Sequence, residues 1–88
     1  MVRYAVHVPI EVSEVGMGST IDISSTGVAF VIDRVLEPGS AIRFEVALEG
    51  EKALLSCDGR VVRVERRATE IFTAATIESV AVRAAIGH

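Results

Sequence analysis

Apolar and polar residues alternate along most of this chain with a period of two, the pattern of strands half-buried against a core. From Val6 to Val12 the alternation is strict, with Val6, Val8, Ile10 and Val12 on an inner face and His7, Pro9 and Glu11 outside. Pro9 has no N–H for a ladder, which suits an edge or an outward position. Gly16-Met17-Gly18 predicts a flexible turn into a second strand. There Ile21 and Ile23 point one way, and Thr20, Asp22 and Ser24 the other. Gly27 closes the turn that follows. A third strand, Val28 to Ile32, is apolar on both faces, as expected inside a barrel or under a partner. Glu37-Pro38-Gly39-Ser40 is a strong turn signal.

The cleanest alternation comes next. Ile42, Phe44, Val46 and Leu48 face in, while Arg43, Glu45 and Glu49 belong to the solvated side. Glu49-Gly50-Glu51-Lys52 reads as a hairpin loop. The fifth strand runs from Ala53 to about Arg66, and its inward set changes from Leu55 and Cys57 to Val62 and Val64. One extra residue near Gly59 would account for that change, so a β-bulge is expected there. Arg66-Arg67-Ala68-Thr69 turns into a sixth strand, Glu70 to Ile77. Ser79 to His88 is too brief to decide, and a short C-terminal helix stays open. Connections this short exclude crossover helices and hence a parallel sheet. An open sheet would leave a greasy face and two bare edges. The predicted fold is all-β: one domain over residues 1–88, a six-stranded antiparallel β-barrel.

Composition narrows the function classes. Half the chain is apolar, enough for one core in 88 residues. A formal charge of −3 argues against nucleic-acid binding, which needs a basic face to neutralise phosphates. No apolar run reaches the length of a membrane span, and no signal-peptide pattern opens the chain. A cytoplasmic protein is expected, although a piece of a larger membrane protein would read the same way. The single cysteine, Cys57, lies beside Leu54 and Leu55 with no neighbouring cation to activate it, so it reads as a buried hydrophobe. One cysteine and two distant histidines, His7 and His88, argue against a structural zinc site. Ser24 and Ser25 have no histidine placed as a base, and no glycine loop matches a phosphate cradle. The reading is no enzyme, no metal and no cofactor.

One polar constellation stands out. Asp22-Ile23-Ser24-Ser25-Thr26-Gly27 sets a carboxylate and a hydroxyl two residues apart at a strand end, roughly 7 Å along it. Set between the second and third of six strands, this segment resembles the [Asp/Asn]-x-Ser-x-x-Gly signature of PilZ domains. The proline-glycine turn before the fourth strand and Gly59-Arg60-Val61-Val62-Arg63-Val64-Glu65 in the fifth agree with it. The resemblance spans roughly Arg3 to Ile77.

That resemblance implies binding of cyclic di-GMP. In such domains the Asp/Asn and Ser hydrogen-bond a guanine edge, and an Arg-x-x-x-Arg motif before the first strand holds phosphates and guanine. The chemistry is sound on its own terms. A carboxylate accepts guanine N–H groups, a guanidinium fork matches phosphate or guanine O6/N7, and glycine lets backbone pass close beneath a ligand. The ligand-binding set is then Arg3, His7, Asp22, Ser24 and Gly27. Here the arginine pair is incomplete, and two registers fit. In one, Arg3-Tyr4-Ala5-Val6-His7 is the motif with histidine at its second position. In the other, Arg3 is the second arginine, Tyr4 the aromatic that often follows it, and the first would precede Met1. A missing charged hydrogen bond costs about 1.5–3 kcal/mol, roughly ten- to a hundredfold or somewhat more in affinity.

Each of these residues also has an ordinary structural role open to it. Asp22 and Ser24 would be the solvated face of a hairpin, with Ser24, Ser25 and Thr26 satisfying turn amides. Arg3 and His7 would be surface residues. Arg60, Arg63, Arg66 and Arg67 would be a solvated hairpin end beside Glu65 and Glu70, with one of them open to serving the ligand. Two functions follow. The first is a receptor that binds cyclic di-GMP and relays it to a protein in motility, pilus or exopolysaccharide machinery. The second is a degenerate domain that binds no nucleotide and acts as a protein–protein interaction module in pilus assembly or motility. A third, a bare structural barrel, would form a homodimer through a strand such as Val28 to Ile32.

Overall fold

A computed structural model describes residues 4–5, 7–48 and 53–84. Among them every regular element is a strand: β1 (Tyr4–Ala5), β2 (Pro9–Val12), β3 (Gly16–Ile23), β4 (Gly27–Ile32), β5 (Ala41–Leu48), β6 (Ala53–Arg67), β7 (Glu70–Thr76) and β8 (Ser79–Ala84). All pairings are antiparallel. The ring β2-β5-β6-β7-β4-β3 returns to β2 and closes the expected six-stranded barrel. Two strands lie outside the ring, β1 against β3 and β8 against β6.

Alternation fills the interior. Ile10, Phe30 and Phe44 are wholly buried, with Val12, Val28, Ile32, Val46, Cys57 and Val61 around them. Pro9 opens β2, pairing with Ser19 of β3 before the pairing to β5 begins at Ile10. Its missing N–H therefore costs the ladder little. The Glu37–Ser40 turn forms as its residues predict, Ser40 donating from N–H and Oγ to the Glu37 carbonyl. Arg67 and Glu70 close the β6–β7 hairpin over Ala68, whose φ is 53°.

Five expectations are corrected. Ser79–Ala84 is a strand, not a helix, because each of its residues pairs with β6 between Ala53 and Asp58; residues 85–88 lie outside the described set. Gly16-Met17-Gly18 belongs to β3, and the turn falls earlier, at Glu14 with φ 65° and a Val15 N–H bond to the Val12 carbonyl. Gly18 serves instead as a close approach, since a Cβ there would overlap the Val31 carbonyl oxygen. In β6 the inward set Cys57, Gly59 and Val61 persists, and the register shifts between Val61 and Arg63, so the bulge is at Val62. Val62 itself is exposed, not inward. Finally, β4 is flanked by β3 and β7 along both edges, which leaves Val28–Ile32 no edge for a second copy. Val6 and the Glu49–Lys52 loop lie outside the described residues.

Candidate ligand-binding site

The second strand does not alternate as its sequence suggests. A register shift between Thr20 and Asp22 makes Ile21 an extra residue in the pairing with β4. Thr20 is thereby turned into the barrel and buried, and Asp22 comes level with Ala29 on the outer wall. Thr20 earns its buried position: its Oγ1 accepts the Val8 N–H at 3.0 Å, and its own N–H donates to the Val8 carbonyl at 2.9 Å. The neighbouring strand breaks where the bulge sits. β2 pairs with residues 16–19 and β1 with Asp22 and Ile23, leaving His7 and Val8 to bridge the gap. His7 is exposed, and its Nδ1 lies 3.2 Å from the Thr20 carbonyl. A carbonyl can only accept, so this contact places the proton on Nδ1.

Asp22 is half-buried, opposite Ala5 of β1 on one side and Ala29 of β4 on the other. The N-terminal segment therefore runs directly beside the carboxylate's strand. Arg3 lies outside the described residues. Ser24 follows β3 and is buried in the turn. Its N–H donates to the Gly27 carbonyl at 2.8 Å, its hydroxyl donates to the same oxygen at 3.4 Å, and Oγ accepts the Thr26 N–H at 3.4 Å. The hydroxyl thus satisfies turn amides. Gly27 begins β4 against Thr76. Among the described residues the glycines with positive φ are Gly16 and Gly39, so the turn closes without left-handed backbone at Gly27.

The wall beside Asp22 is an open depression of about 420 Å³, bordered by Asp22, Gly27, Ala29, Val62, Arg63 and Ala74. Pairing explains this set. Asp22 faces Ala29, Ala29 faces Ala74, and Ala74 faces Arg63, so four strands contribute one outward row with two alanines between a carboxylate and a guanidinium. Both bulges sit at the ends of this row, Ile21 before Asp22 and Val62 before Arg63. Arg63 Nε is 3.1 Å from Glu65 Oε1, and Arg67 Nη2 is 3.0 Å from Glu65 Oε2. Arg67 also lies over the Phe72 ring, 5.0 Å from its centroid. A second, smaller depression of about 140 Å³ shares Ala29, Arg63 and Ala74 with the first and ends at Arg67 and Phe72. The sequence reading grouped Arg63 with its arginine neighbours. The Val62 bulge, invisible as a spacing, falls between Arg60 and Arg63 and brings Arg63 level with Ala74.

Elsewhere the chemistry is quiet. Cys57 is buried, and desolvation first, the Asp58 charge second, pushes its thiol pKa up, away from reactivity. Among the described residues no group of three His, Cys, Asp or Glu side chains could hold a metal ion. No helix there is long and apolar enough to cross a membrane.

The structure is a closed antiparallel β-barrel whose β3–β4 hairpin carries a carboxylate on an open outer wall. The chain matches the PilZ domain family over residues 2–83, and it belongs to that family. Among solved structures it is similar to the Bacillus subtilis inhibitor of motility (MotI/DgrA), with a TM-score of 0.81 at 17% identity. That likeness covers 91% of this chain and 42% of the other, so the domain spans less than half of that protein. No curated protein matches the sequence.

Proposed function

We propose that this PilZ domain is a cytoplasmic receptor for cyclic di-GMP that passes the bound state to a protein partner in motility, pilus or exopolysaccharide machinery. The observation that carries the reading is Asp22: outward, half-buried, at an open depression, and paired through its backbone with the N-terminal segment. A carboxylate there accepts the N1–H and N2–H groups of a guanine. Ser24 and Gly27 hold the turn that presents it, and Arg3 supplies a cation from the N-terminal segment. His7 stands by the same strand as a further donor. Ligand bound across this wall would lie against the N-terminal segment, which is the simplest relay to a partner.

Calorimetric titration with cyclic di-GMP tests this. Asp22→Ala is expected to weaken binding by roughly ten- to a hundredfold, the worth of a hydrogen bond to a charged group. A tighter complex with His7→Arg would assign His7 to the second arginine's place, and an unchanged one would put that pair further upstream. Absence of heat at high micromolar ligand overturns the receptor reading.

A second reading rests on β8. Among the described residues it pairs on one side, with β6, and its Val80 and Val82 are 51% and 69% exposed. An open strand edge beside exposed valines suits β-augmentation by a protein partner. A domain that binds no nucleotide would work through this face as an interaction module, in agreement with the motility role named for the MotI/DgrA structure.

A further inference from the structure

We infer that Arg63, on the wall of β6, supplies a guanidinium to this site, gripping O6 and N7 of the guanine whose N1–H and N2–H groups sit on Asp22. The inference rests on the receptor reading and adds to it a residue outside the family signature. Its basis is the row Asp22–Ala29–Ala74–Arg63. Three strand spacings measure about 14 Å along the wall from one end of the row to the other, room for a base with a hydrogen bond at each end. The two alanines between them form a low, apolar floor on which a planar ring can lie; any larger residue at 29 or 74 would fill that space. The two bulges lend support, because each shifts the side chain after it into the row, and bulges commonly re-aim side chains at sites.

The guanidinium is suitably held. Its side chain is 71% exposed, so it can reach over the floor, and Glu65 fixes it through Nε while the Nη groups carry further donors. Glu65 also serves Arg67, so two cations share one carboxylate and positive charge is left over for an electron-rich base edge or a nearby phosphate. Arginine paired to O6 and N7 is the commonest specific guanine contact, and it discriminates against adenine, which presents an N6 donor in the place of O6. Asp22 reads the N1–H and N2–H groups, and Arg63 reads O6 and N7 on the adjoining Hoogsteen edge.

The test is calorimetric titration of the whole chain with cyclic di-GMP and with its 7-deaza analogue, which keeps both phosphates and O6 but lacks N7. For the wild type, the analogue is expected to bind about tenfold more weakly. Arg63→Ala is expected to weaken cyclic di-GMP by at least tenfold and to bind the two ligands equally, since the group that reads N7 is gone. Arg63→Lys, which keeps the charge but loses the fork, should fall between. Thermal unfolding of both variants should match wild type, because the residue is exposed. Arg63→Ala with wild-type affinity overturns the inference and leaves the receptor reading standing. So does a variant that weakens but still discriminates the analogue, since Arg63 would then act on phosphate alone. Failure of the wild type to bind cyclic di-GMP overturns both.

Discussion

β6 runs through two regions that treat charge in opposite ways. Along its first half, Ala53–Arg60, the outer face is matched one to one. Arg43 Nε donates to Asp58 at 2.9 Å, Ser79 Oγ donates to the other Asp58 oxygen at 3.0 Å, and Arg83 pairs with Glu45. Along its second half Arg63 and Arg67 share the single carboxylate of Glu65, over a floor of alanine. Exposed ion pairs of the first kind are screened by solvent and contribute little, and they have no charge left to offer. The second arrangement leaves a guanidinium in surplus next to an open depression.

The largest effect is expected where the two halves meet. Gly59 sits at that junction, just before the pairing of β6 passes from β8 to β7, and a Cβ there would overlap the Thr76 carbonyl oxygen and lie 2.9 Å from its carbon. The obstruction is backbone, which cannot swing aside. Gly59→Ala should therefore destabilise the domain by about 3 kcal/mol or more, lowering Tm by more than about 10 °C on the scale of domains this size. A wild-type Tm would mean that the two halves of β6 are not locked together there.

Next comes the inner layer beneath the alanine floor. Thr20 and Thr73 flank Phe30 in one buried row, as Thr20 pairs with Phe30 and Phe30 with Thr73. Thr20 Oγ1 takes the Val8 N–H, whereas Thr73 Oγ1 has no partner among the described residues. Two isosteric substitutions should therefore differ. Thr20→Val strands a buried donor and should cost about 1–3 kcal/mol. Thr73→Val removes an unpaired buried hydroxyl and should be neutral or stabilising by up to about 1 kcal/mol, for the same reason with the sign reversed. Chemical denaturation of the pair measures both, and equal losses would refute the assignment of Thr20 as the clamp that positions Asp22.

Much of this architecture could be read from alternation alone. Ile10 and Val12, and Phe44 and Val46, face inward as spaced, and the Pro38-Gly39 turn is where its residues put it. What escaped is whatever depends on a neighbour in space. Ile21 and Ile23 mimic an uninterrupted strand, so nothing in the spacing reveals that Thr20 turns inward to meet Val8. Gly59 hides parity because it has no side chain, and with Val61 and Val62 adjacent either could have faced the core. The spacing therefore predicts the bulge three residues early. β8 carries Ala81 and Ala84, which suit a helix as well as a strand, and only β6 decides the matter. The site divides along the same line. Asp22, Ser24 and Gly27 form a local motif that a sequence displays, whereas the row ending at Arg63 crosses four strands and needs both bulges to come level.

The smallest effect concerns the matched half and its pH dependence. The hydrogen bond from Arg43, and after it the one from Ser79, hold the Asp58 carboxyl pKa below its ordinary value. A carboxylate whose pKa is lower in the folded state stabilises the fold above its unfolded pKa, near 3.9, and that contribution disappears as pH falls through the folded value. Asp58→Asn should therefore melt slightly below wild type at pH 7, and the gap should close on acidification below about pH 4. Because Asp58 is exposed, the difference is a small one that needs paired melts to resolve. The same variant should bind cyclic di-GMP as tightly as wild type, since Asp58 lies on the half of β6 that keeps its charges to itself. A loss of affinity on neutralising Asp58 would join the two regions into one electrostatic surface, and the distinction between the paired wall and the open one would fail.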